Sequence, residues 1–344
     1  MPQEIKSKVA VIGATGYTGL ETVRLVLQHP HMELFAVTSE SSAGKKLSEV
    51  YPHLQGVTDL VLQSFEKDKD QIIQQAHTLF LALPHGTTQA IVQEISKHQT
   101  TPKLIDLSGD FRLKDAKLYE QYYGKKHDFP EGLGEFVYGL PEANKEDIRS
   151  AKNVANPGCF ATAAQLALLP LKGNIKHAEV FAVTGSSGSG KEPKESTHHP
   201  VRNHNVKSYK IGSHQHIPEV LQTSGLTAEQ LSFVPTSGPF VRGIHLTAFI
   251  ELEKELDEQQ VKKLFETEYA DDPFVRIKDQ VELAAIVGSN FCDLSVQAVN
   301  GRIVVQAVID NLVKGAAGTA VHNFNLMQEL PETTGLEALI PLYP

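Results

Sequence analysis

Cys159, in the string Asn156-Pro-Gly-Cys-Phe, has the setting of a nucleophile. Pro157 and Gly158 make a sharp turn that puts the thiol in the first turn of a helix expected over residues 159–169. Amides at a helix N-terminus favour a thiolate and lower a pKa that starts near about 8.5. The other reading is a small buried hydrophobe, the commonest fate of a free cysteine. Cys292, between Phe291 and Asp293 at a strand entrance, has no such setting and is expected to be structural. A thiol nucleophile also needs a proton partner, and His198, His199, His204, His214 and His216 crowd one segment. In His214-Gln-His216-Ile-Pro-Glu219, Pro218 can sit in the first turn of a following helix and hold both histidines at its entrance. With a pKa near about 6.5, either could exchange a proton with a reacting group, or could simply face solvent on a loop. The spacing of His198, His199 and His204 lacks the i, i+4 face of a helical metal pair and no cysteine lies near, so no metal is expected.

A second chemistry is suggested by Gly13-Ala-Thr15-Gly16-Tyr17-Thr18-Gly19, placed between an apolar run and a helix-period stretch. Such glycines let the backbone turn tightly and approach a pyrophosphate, whose charge suits the positive end of a helix dipole. The spacing is G-x-x-G-x-x-G rather than the commoner G-x-G-x-x-G, and a purely structural turn would look similar. Thr38, Ser39, Glu40, Ser41 and Ser42 stand where an adenosine ribose would lie. The serines with Lys45 and Lys46 favour a 2′-phosphate and therefore NADP, whereas Glu40 opposes it. Two further strings follow strands. Thr184-Gly-Ser-Ser187-Gly188-Ser-Gly-Lys191 is rich in donors that could face a carboxylate or a nicotinamide, or be a linker. Asp106-Leu-Ser-Gly-Asp-Phe-Arg112 ends in a guanidinium able to grip an anion such as phosphate, although a surface arginine is the simpler explanation.

The elements that must position these residues fall into two patterns. Apolar strand-like runs at 8–12, 33–37, 79–83 and 103–107 alternate with helix-period stretches at 20–28 and 87–97, which implies parallel strands with crossover helices in a doubly wound sheet. After residue 150 the pattern changes. Strands are expected at 179–183, 231–234, 241–252, 293–299 and 303–309, several alternating apolar and polar, with a two-residue hairpin at Asn300-Gly301. A helix is expected at 314–327. The fold class is therefore α/β, with a Rossmann-type dinucleotide-binding domain and a second α+β domain whose sheet is largely antiparallel. A length of 344 residues, 41% hydrophobic and 21% charged, suits two such domains and excludes disorder, collagen and coiled coil. A net charge of −9 has the wrong sign for phosphate backbones or anionic lipid, so no nucleic acid or membrane partner is expected. Two cysteines cannot build a disulfide framework, residues 1–7 carry no signal peptide, and no apolar run reaches the roughly 20 residues that span a bilayer. The expected location is the cytoplasm.

Taken together the motifs resemble the N-acetyl-gamma-glutamyl-phosphate reductases of arginine biosynthesis, within the wider aspartate-semialdehyde dehydrogenase group. The resemblance rests on G-A-T-G-Y-T-G at 13–19, S-S-A-G at 41–44, L-P-H-G at 83–86, D-L-S-G-D-F-R at 106–112, Y-G-L-P-E at 138–142 and N-P-G-C-F at 156–160. It continues through S-G-S-G-K at 187–191, H-Q-H-I-P-E at 214–219, V-R-G at 241–243 and N-L-V-K-G-A-A-G at 311–318. It implies that Cys159 is the nucleophile and that His214 or His216, with His216 favoured, is the acid/base. It implies that Arg112, Lys191 and Arg242, with Asn156, hold the phosphate and carboxylate of the substrate. It places Pro84, Ser187, Gly188, Asn311 and Gly315 with Gly13 to Gly19, Ser39 and Ser41 around NADP(H). Residues 1–158 and 312–344 would form the dinucleotide domain and 159–311 the catalytic and dimerisation domain of a homodimer or homotetramer. The family usually has a basic residue just before S-S-A-G, where this chain has Glu40. The implied reaction is NADPH-dependent reduction of N-acetylglutamyl phosphate to the semialdehyde through a thioester on Cys159, with release of phosphate. Enzymes using aspartyl phosphate or a carrier-bound acyl phosphate would share the thiol chemistry. A nucleotide-binding regulator that has lost catalysis is the contrasting class.

Overall fold

The computed structural model describes residues 6–341. Seven strands form the first sheet: β1 (Ser7–Ile12), β2 (Met32–Thr38), β3 (Leu62–Gln63), β4 (Thr78–Leu81), β5 (Lys103–Asp106), β6 (Phe136–Tyr138) and β7 (Asn153–Ala155), in the order β3-β2-β1-β4-β5-β7-β6. Every pairing in it is parallel. The periodicity shows four of these strands; β3, β6 and β7 are too short to register one, so residues 103–106 form the fifth strand in sequence rather than the fourth. Helices Tyr17–Gln28 and Gly318–Met327 cover one face through Val23, Val26, Val321 and Phe324. Helices Phe65–Gln75 and Thr88–Ile95 cover the other through Ile72, Ile73, Val92 and Ile95. Burial on both faces is why these strands read as continuous apolar runs. The order reverses at β1, so the turns after β1 and β4 face each other across the crevice where such sheets bind ligands.

The second sheet is β8 (Ile175–Thr184), β9 (Lys207–Ser208), β10 (Leu231–Ser237), β11 (Ile244–Leu252), β12 (Val275–Ile277), β13 (Cys292–Val299) and β14 (Arg302–Ile309), in the order β12-β13-β14-β11-β8-β10-β9. It is mixed. Its long central pairs are antiparallel, but β10 runs parallel to β8 and β12 parallel to β13. Helix Ile217–Ser224 lies in the connection that the β8–β10 pair requires. Asn300 (φ 51°) and Gly301 (φ 75°) make the tight turn between β13 and β14 that their dipeptide predicts. The strand expected from residue 241 begins only at Ile244, because Gly243 turns at φ 109°. The segment expected as one helix over 314–327 opens instead as a π-turn, Val313–Ala317. One face of this sheet packs on helices Cys159–Leu168, Ile217–Ser224 and Glu258–Glu268. On the opposite face Phe181 and Phe249 remain 44% and 42% exposed. Among the described residues no helix is long and apolar enough to cross a membrane.

Candidate active site

The turn at 156–158 delivers Cys159 as the first residue of helix Cys159–Leu168, with Gly158 as its N-cap. The backbone around it is tightly held. The Asn156 amide donates to the Asp106 carbonyl (2.7 Å), and the Gly158 amide donates to Glu219 Oε2 (2.9 Å). Two glycines make room. A methyl group at Gly158 would lie 2.3 Å from His216 Nε2, and one at Gly315 would lie 2.7 Å from the Cys159 Cβ. The imidazole of His216 therefore rests on the residue that precedes Cys159, and the π-turn at 313–317 backs onto the Cα and Cβ of Cys159. His216 is the N-cap of helix Ile217–Ser224, with Pro218 in the first turn, the arrangement expected from sequence. Its own amide donates to His214 Nδ1 (3.2 Å), and the two rings meet edge to face at 4.6 Å.

The electrostatics differ from the sequence expectation. Burial pushes the Cys159 thiol up to about 11, while the positive charge of Arg112 and hydrogen bonding from the backbone amides of Phe160 and Cys159 pull it down less strongly. The helix N-terminus is in place, but desolvation outweighs it, and the thiol is the resting form. Burial likewise holds His216 well below the ordinary histidine value and His214 down to about 3, so both rings are neutral. His216 Nδ1 is buried without a hydrogen-bond partner. Thiol and imidazole are both uncharged, and Gly158 is the residue between the ring and Cys159.

Arg112 is neither a surface residue nor free. It is 5% exposed, and Nε donates to the Asn156 carbonyl (2.7 Å), Nη2 to the Leu107 carbonyl (3.1 Å) and Nη1 to Glu219 Oε1 (3.2 Å). Glu219, fully buried, accepts from Arg112, Gly158 and the Tyr138 hydroxyl (2.8 Å), while Gln165 donates to the Glu219 carbonyl (2.7 Å). One carboxylate thus ties the guanidinium to the turn that carries the thiol. Sequence reasoning quotes Glu219 in its string but gives it no role. Its fixed position three residues after His216, one helical turn on, was the available signal. Asn156 is committed as well, with Nδ2 donating to the Ala316 carbonyl (3.1 Å) and Oδ1 accepting from Asn323 (3.1 Å). Arg242 chelates Asp310 (3.0 and 3.1 Å) and reaches Glu21 (3.3 Å), so its charge is already met. Lys191 is exposed on the loop after β8. Among the described residues no three His, Cys, Asp or Glu side chains come together to hold a metal ion.

At the other end of the crevice stand the glycines. Gly13 has φ +86° and its missing methyl would strike the Ala82 carbonyl at 2.5 Å; that of Gly19 would strike the Gly13 carbonyl at 2.1 Å. These two are required by the fold itself. Gly16 caps helix Tyr17–Gln28, and a methyl group there would meet nothing closer than 3.8 Å. Its bareness leaves space at a helix N-terminus that a pyrophosphate fits. Beside it Thr15 Oγ1 meets Ser39 Oγ (3.0 Å), which meets Ser41 Oγ (3.4 Å), while Tyr17 is 40% exposed and Thr18 accepts from Thr22 in the helix. Glu40 is occupied elsewhere: it accepts from Ser64 Oγ (2.6 Å) and the Phe65 amide (2.7 Å), capping helix Phe65–Gln75. Its charge is met by that helix's N-terminus. Pro84 sits exposed in the loop after β4. Asn311 Nδ2 donates to Ser187 Oγ (2.9 Å) and its Oδ1 accepts from the Gly243 amide (2.6 Å), locking the Ser187–Gly188 loop to the segment that leads to Gly315.

Family models match both halves of the chain: semialdehyde dehydrogenase, NAD binding domain, at residues 8–151, and semialdehyde dehydrogenase, dimerisation domain, at residues 159–311. The N-acetyl-gamma-glutamyl-phosphate reductase of Bacillus cereus (strain AH187) is 41% identical over 98% of this chain and 99% of its own. That of Pelotomaculum thermopropionicum is 43% identical over the same shares. Among solved structures, aspartate semialdehyde dehydrogenase II from Vibrio cholerae, complexed with ASA, superposes with a TM-score of 0.72 at 17% identity, covering 94% of this chain and 98% of that one. Aspartate semialdehyde dehydrogenase with NADP from Candida albicans superposes at 0.68 with 15% identity over 94% and 98%. At those identities the structural likeness speaks for the fold.

Proposed function

Because the chain belongs to the N-acetyl-gamma-glutamyl-phosphate reductase family, oxidoreductases of the semialdehyde dehydrogenase group with a nicotinamide dinucleotide cofactor, we propose that it converts N-acetyl-L-glutamyl 5-phosphate to N-acetyl-L-glutamate 5-semialdehyde and phosphate in arginine biosynthesis. The observation that carries this reading is the contact of a neutral His216 ring with Gly158, beside the first residue of the helix that bears the thiol. An acyl phosphate is already activated, so the protein has only to supply a soft nucleophile and a place for the leaving group. As Sγ of Cys159 bonds to the acyl carbon, its proton passes to the His216 imidazole. The bond from that carbon to the phosphate oxygen breaks and phosphate departs with the electron pair, leaving a thioester on Cys159. NADPH, when bound, supplies the hydride that reduces the acyl carbon. Cys159 then leaves as thiolate and recovers its proton from His216, while the departed phosphate takes up a proton from water, the one proton the overall reduction consumes. Arg112, with two of its N–H groups outside the bonds to Asn156, Leu107 and Glu219, supplies positive charge on the side of the leaving group.

NADP(H) is favoured because Glu40, the residue that would oppose a 2′-phosphate, has its carboxylate engaged on helix Phe65–Gln75, while Ser39 and Ser41 present hydroxyls at the end of β2. Gly13 to Gly19 hold the pyrophosphate, and Pro84, Ser187, Gly188, Asn311 and Gly315 frame the nicotinamide. In this reading residues 1–158 with 312–344 form the dinucleotide domain and 159–311 the catalytic one. The bare face around Phe181 and Phe249 is covered in a homodimer or homotetramer, in the cytoplasm. Of the expected substrate-binding residues, Arg112 is kept in that role and Lys191 remains available for it, whereas Asn156 and Arg242 act as framework. The test is phosphate-dependent reduction of NADP by N-acetylglutamate semialdehyde and, separately, by aspartate semialdehyde. Turnover on the first that is abolished in Cys159→Ala supports the reading, and preference for the second moves the enzyme to the neighbouring substrate.

A further inference from the structure

His85, in the loop after β4, is exposed, yet it stands in the crevice among charges: the positive charges of Arg112, Lys125 and Lys210 and the negative charge of Asp110 all act on its ring. One hydrogen bond fixes its tautomer. Its Nδ1 accepts from the Gly109 amide (2.8 Å), which leaves the proton on Nε2; although the side chain keeps solvent access, the protein crowding its ring and then the Arg112 charge hold its pKa down to about 4. At neutral pH it is therefore an uncharged donor whose Nε2–H points away from Gly109. The Tyr123 ring packs edge-on against it at 5.5 Å, and the Tyr123 hydroxyl is buried without a hydrogen-bond partner. Both groups meet at Gly109, where a methyl group would lie 2.2 Å from the Tyr123 oxygen and 2.7 Å from His85 Nδ1. Three residues on, the same loop carries Arg112.

The loop is held in this form from behind. Asp110 accepts from the Gly86 amide (2.6 Å), the Thr88 amide (3.1 Å) and the Tyr119 hydroxyl (2.9 Å), and Tyr119 stacks on Tyr123 at 4.4 Å. Buried polar groups are ordinarily paired, and one that is not needs an explanation. Around Gly109 the free groups are donors: His85 Nε2–H, the Tyr123 hydroxyl and the remaining N–H groups of Arg112. With burial, the carboxylates of Glu219, Asp110 and Asp106 also act on Tyr123, and together they keep its hydroxyl protonated as a donor. Three unpaired donor groups around the Arg112 guanidinium suit an oxyanion.

The geometry points to His85 and Tyr123 as substrate-binding residues that, with Arg112, form an oxyanion subsite on the dinucleotide-sheet side of the crevice, opposite the thiol. It rests on the acyl-phosphate reading above, whose substrate offers two oxyanions of this chemistry, the phosphoryl group and the carboxylate. Such a subsite discriminates charged acyl phosphates from uncharged aldehydes before the thiol acts.

Two measurements test it on the intact enzyme. In the phosphate-dependent oxidation of the semialdehyde, Tyr123→Phe and His85→Ala each lose one donor to an anion and should raise one KM about tenfold or more, with kcat changed much less. A rise for phosphate assigns the subsite to the phosphoryl group, and a rise for the semialdehyde assigns it to the carboxylate. The second measurement needs no turnover. Inorganic phosphate should protect Cys159 from iodoacetamide in the wild type, and His85→Ala should require about tenfold more phosphate for the same protection when the phosphoryl group is the occupant. Wild-type turnover with both KM values and the protection unchanged in both variants, their melting temperatures matching the wild type, overturns the subsite. Absence of wild-type turnover on either semialdehyde overturns the proposed reaction instead, while the protection assay still judges the subsite. Should Tyr123→Phe fail to fold, His85→Ala, on an exposed side chain, carries the test alone.

Discussion

The two cysteines occupy regions that treat the same side chain in opposite ways. Cys159 opens a helix beside a crevice, and around it the chain is hollowed: Gly158 and Gly315 lack the atoms that would close the space, and a neutral histidine faces in. Cys292 opens β13, is fully buried among Leu294, Ile309 and Val275, and has Asp293 beside it held by both ends of Arg276 (2.5 and 2.9 Å). Burial raises both thiols, that of Cys292 further. What separates a reactive cysteine from a structural one here is therefore not a lowered resting pKa. It is access, and a neighbour able to take the proton.

Removing the thiol of Cys159 gives the largest effect that comparison predicts. Cys159→Ala should lose about 10³-fold or more of turnover, as loss of a covalent nucleophile does. Intact-mass measurement after mixing with acyl phosphate alone should show one adduct in the wild type and none in this variant. An adduct found instead on Cys292 would reverse the assignment of the two regions. Next in size is the proton partner. His216→Ala should lose about 10²- to 10⁴-fold, the range for a positioned acid/base. His214→Ala should lose less, because His214 reaches the site through the His216 amide. The opposite ranking would make His214 the acid/base.

Alkylation sharpens the comparison without turnover. With its folded value near about 11, Cys159 in the free enzyme should react with iodoacetamide at a rate rising about tenfold per pH unit from 7 to 10, with no plateau near neutrality, since only the thiolate reacts. A plateau by pH 8 would mean the helix N-terminus wins over burial. The sign for stability follows. The folded protein holds this proton more tightly than the unfolded chain, so the contribution is complete below the ordinary thiol value and is lost as pH rises from there through about 11. His214 works at the other end. Its folded value of about 3 lies below the ordinary 6.5, so its contribution is present above 6.5 and lost as pH falls towards 3.

What the sequence makes legible is local. The glycine turn between β1 and helix Tyr17–Gln28, the Pro-Gly turn that starts the Cys159 helix, the Pro218 entrance to helix Ile217–Ser224 and the Asn300-Gly301 hairpin are each decided by residues within a few positions. What it hides is decided at long range. Arg112 meets Glu219 across 107 positions, and nothing near Arg112 marks it as buried. Glu40 finds its helix N-terminus 24 and 25 positions on, which turns a residue that opposes NADP on paper into a cap. The thiol of Cys159 shows the same division. Its place in the helix is a local fact, whereas its raised pKa comes from tertiary burial. Strands as short as β3 and the parallel pairing of β8 with β10 likewise have no pattern long enough to read.

The smallest effect is the one expected at Cys292, and it completes the contrast. Cys292 pairs with Ile309 of β14 and with Val275 of β12, so its backbone sits between two neighbouring strands of the second sheet and its side chain is buried in that sheet's core. Replacing it by alanine removes one buried sulfur from a site with no solvent path and should lower stability by about 1 kcal/mol. It is wholly buried in the core of the second sheet and carries no assigned role at the thiol, so turnover should stay within about twofold of wild type. Thermal melting and the semialdehyde assay on Cys292→Ala check both halves. A large loss of turnover with an unchanged melting temperature would mean that this buried sulfur acts in the chemistry, and that access is not what distinguishes the two cysteines.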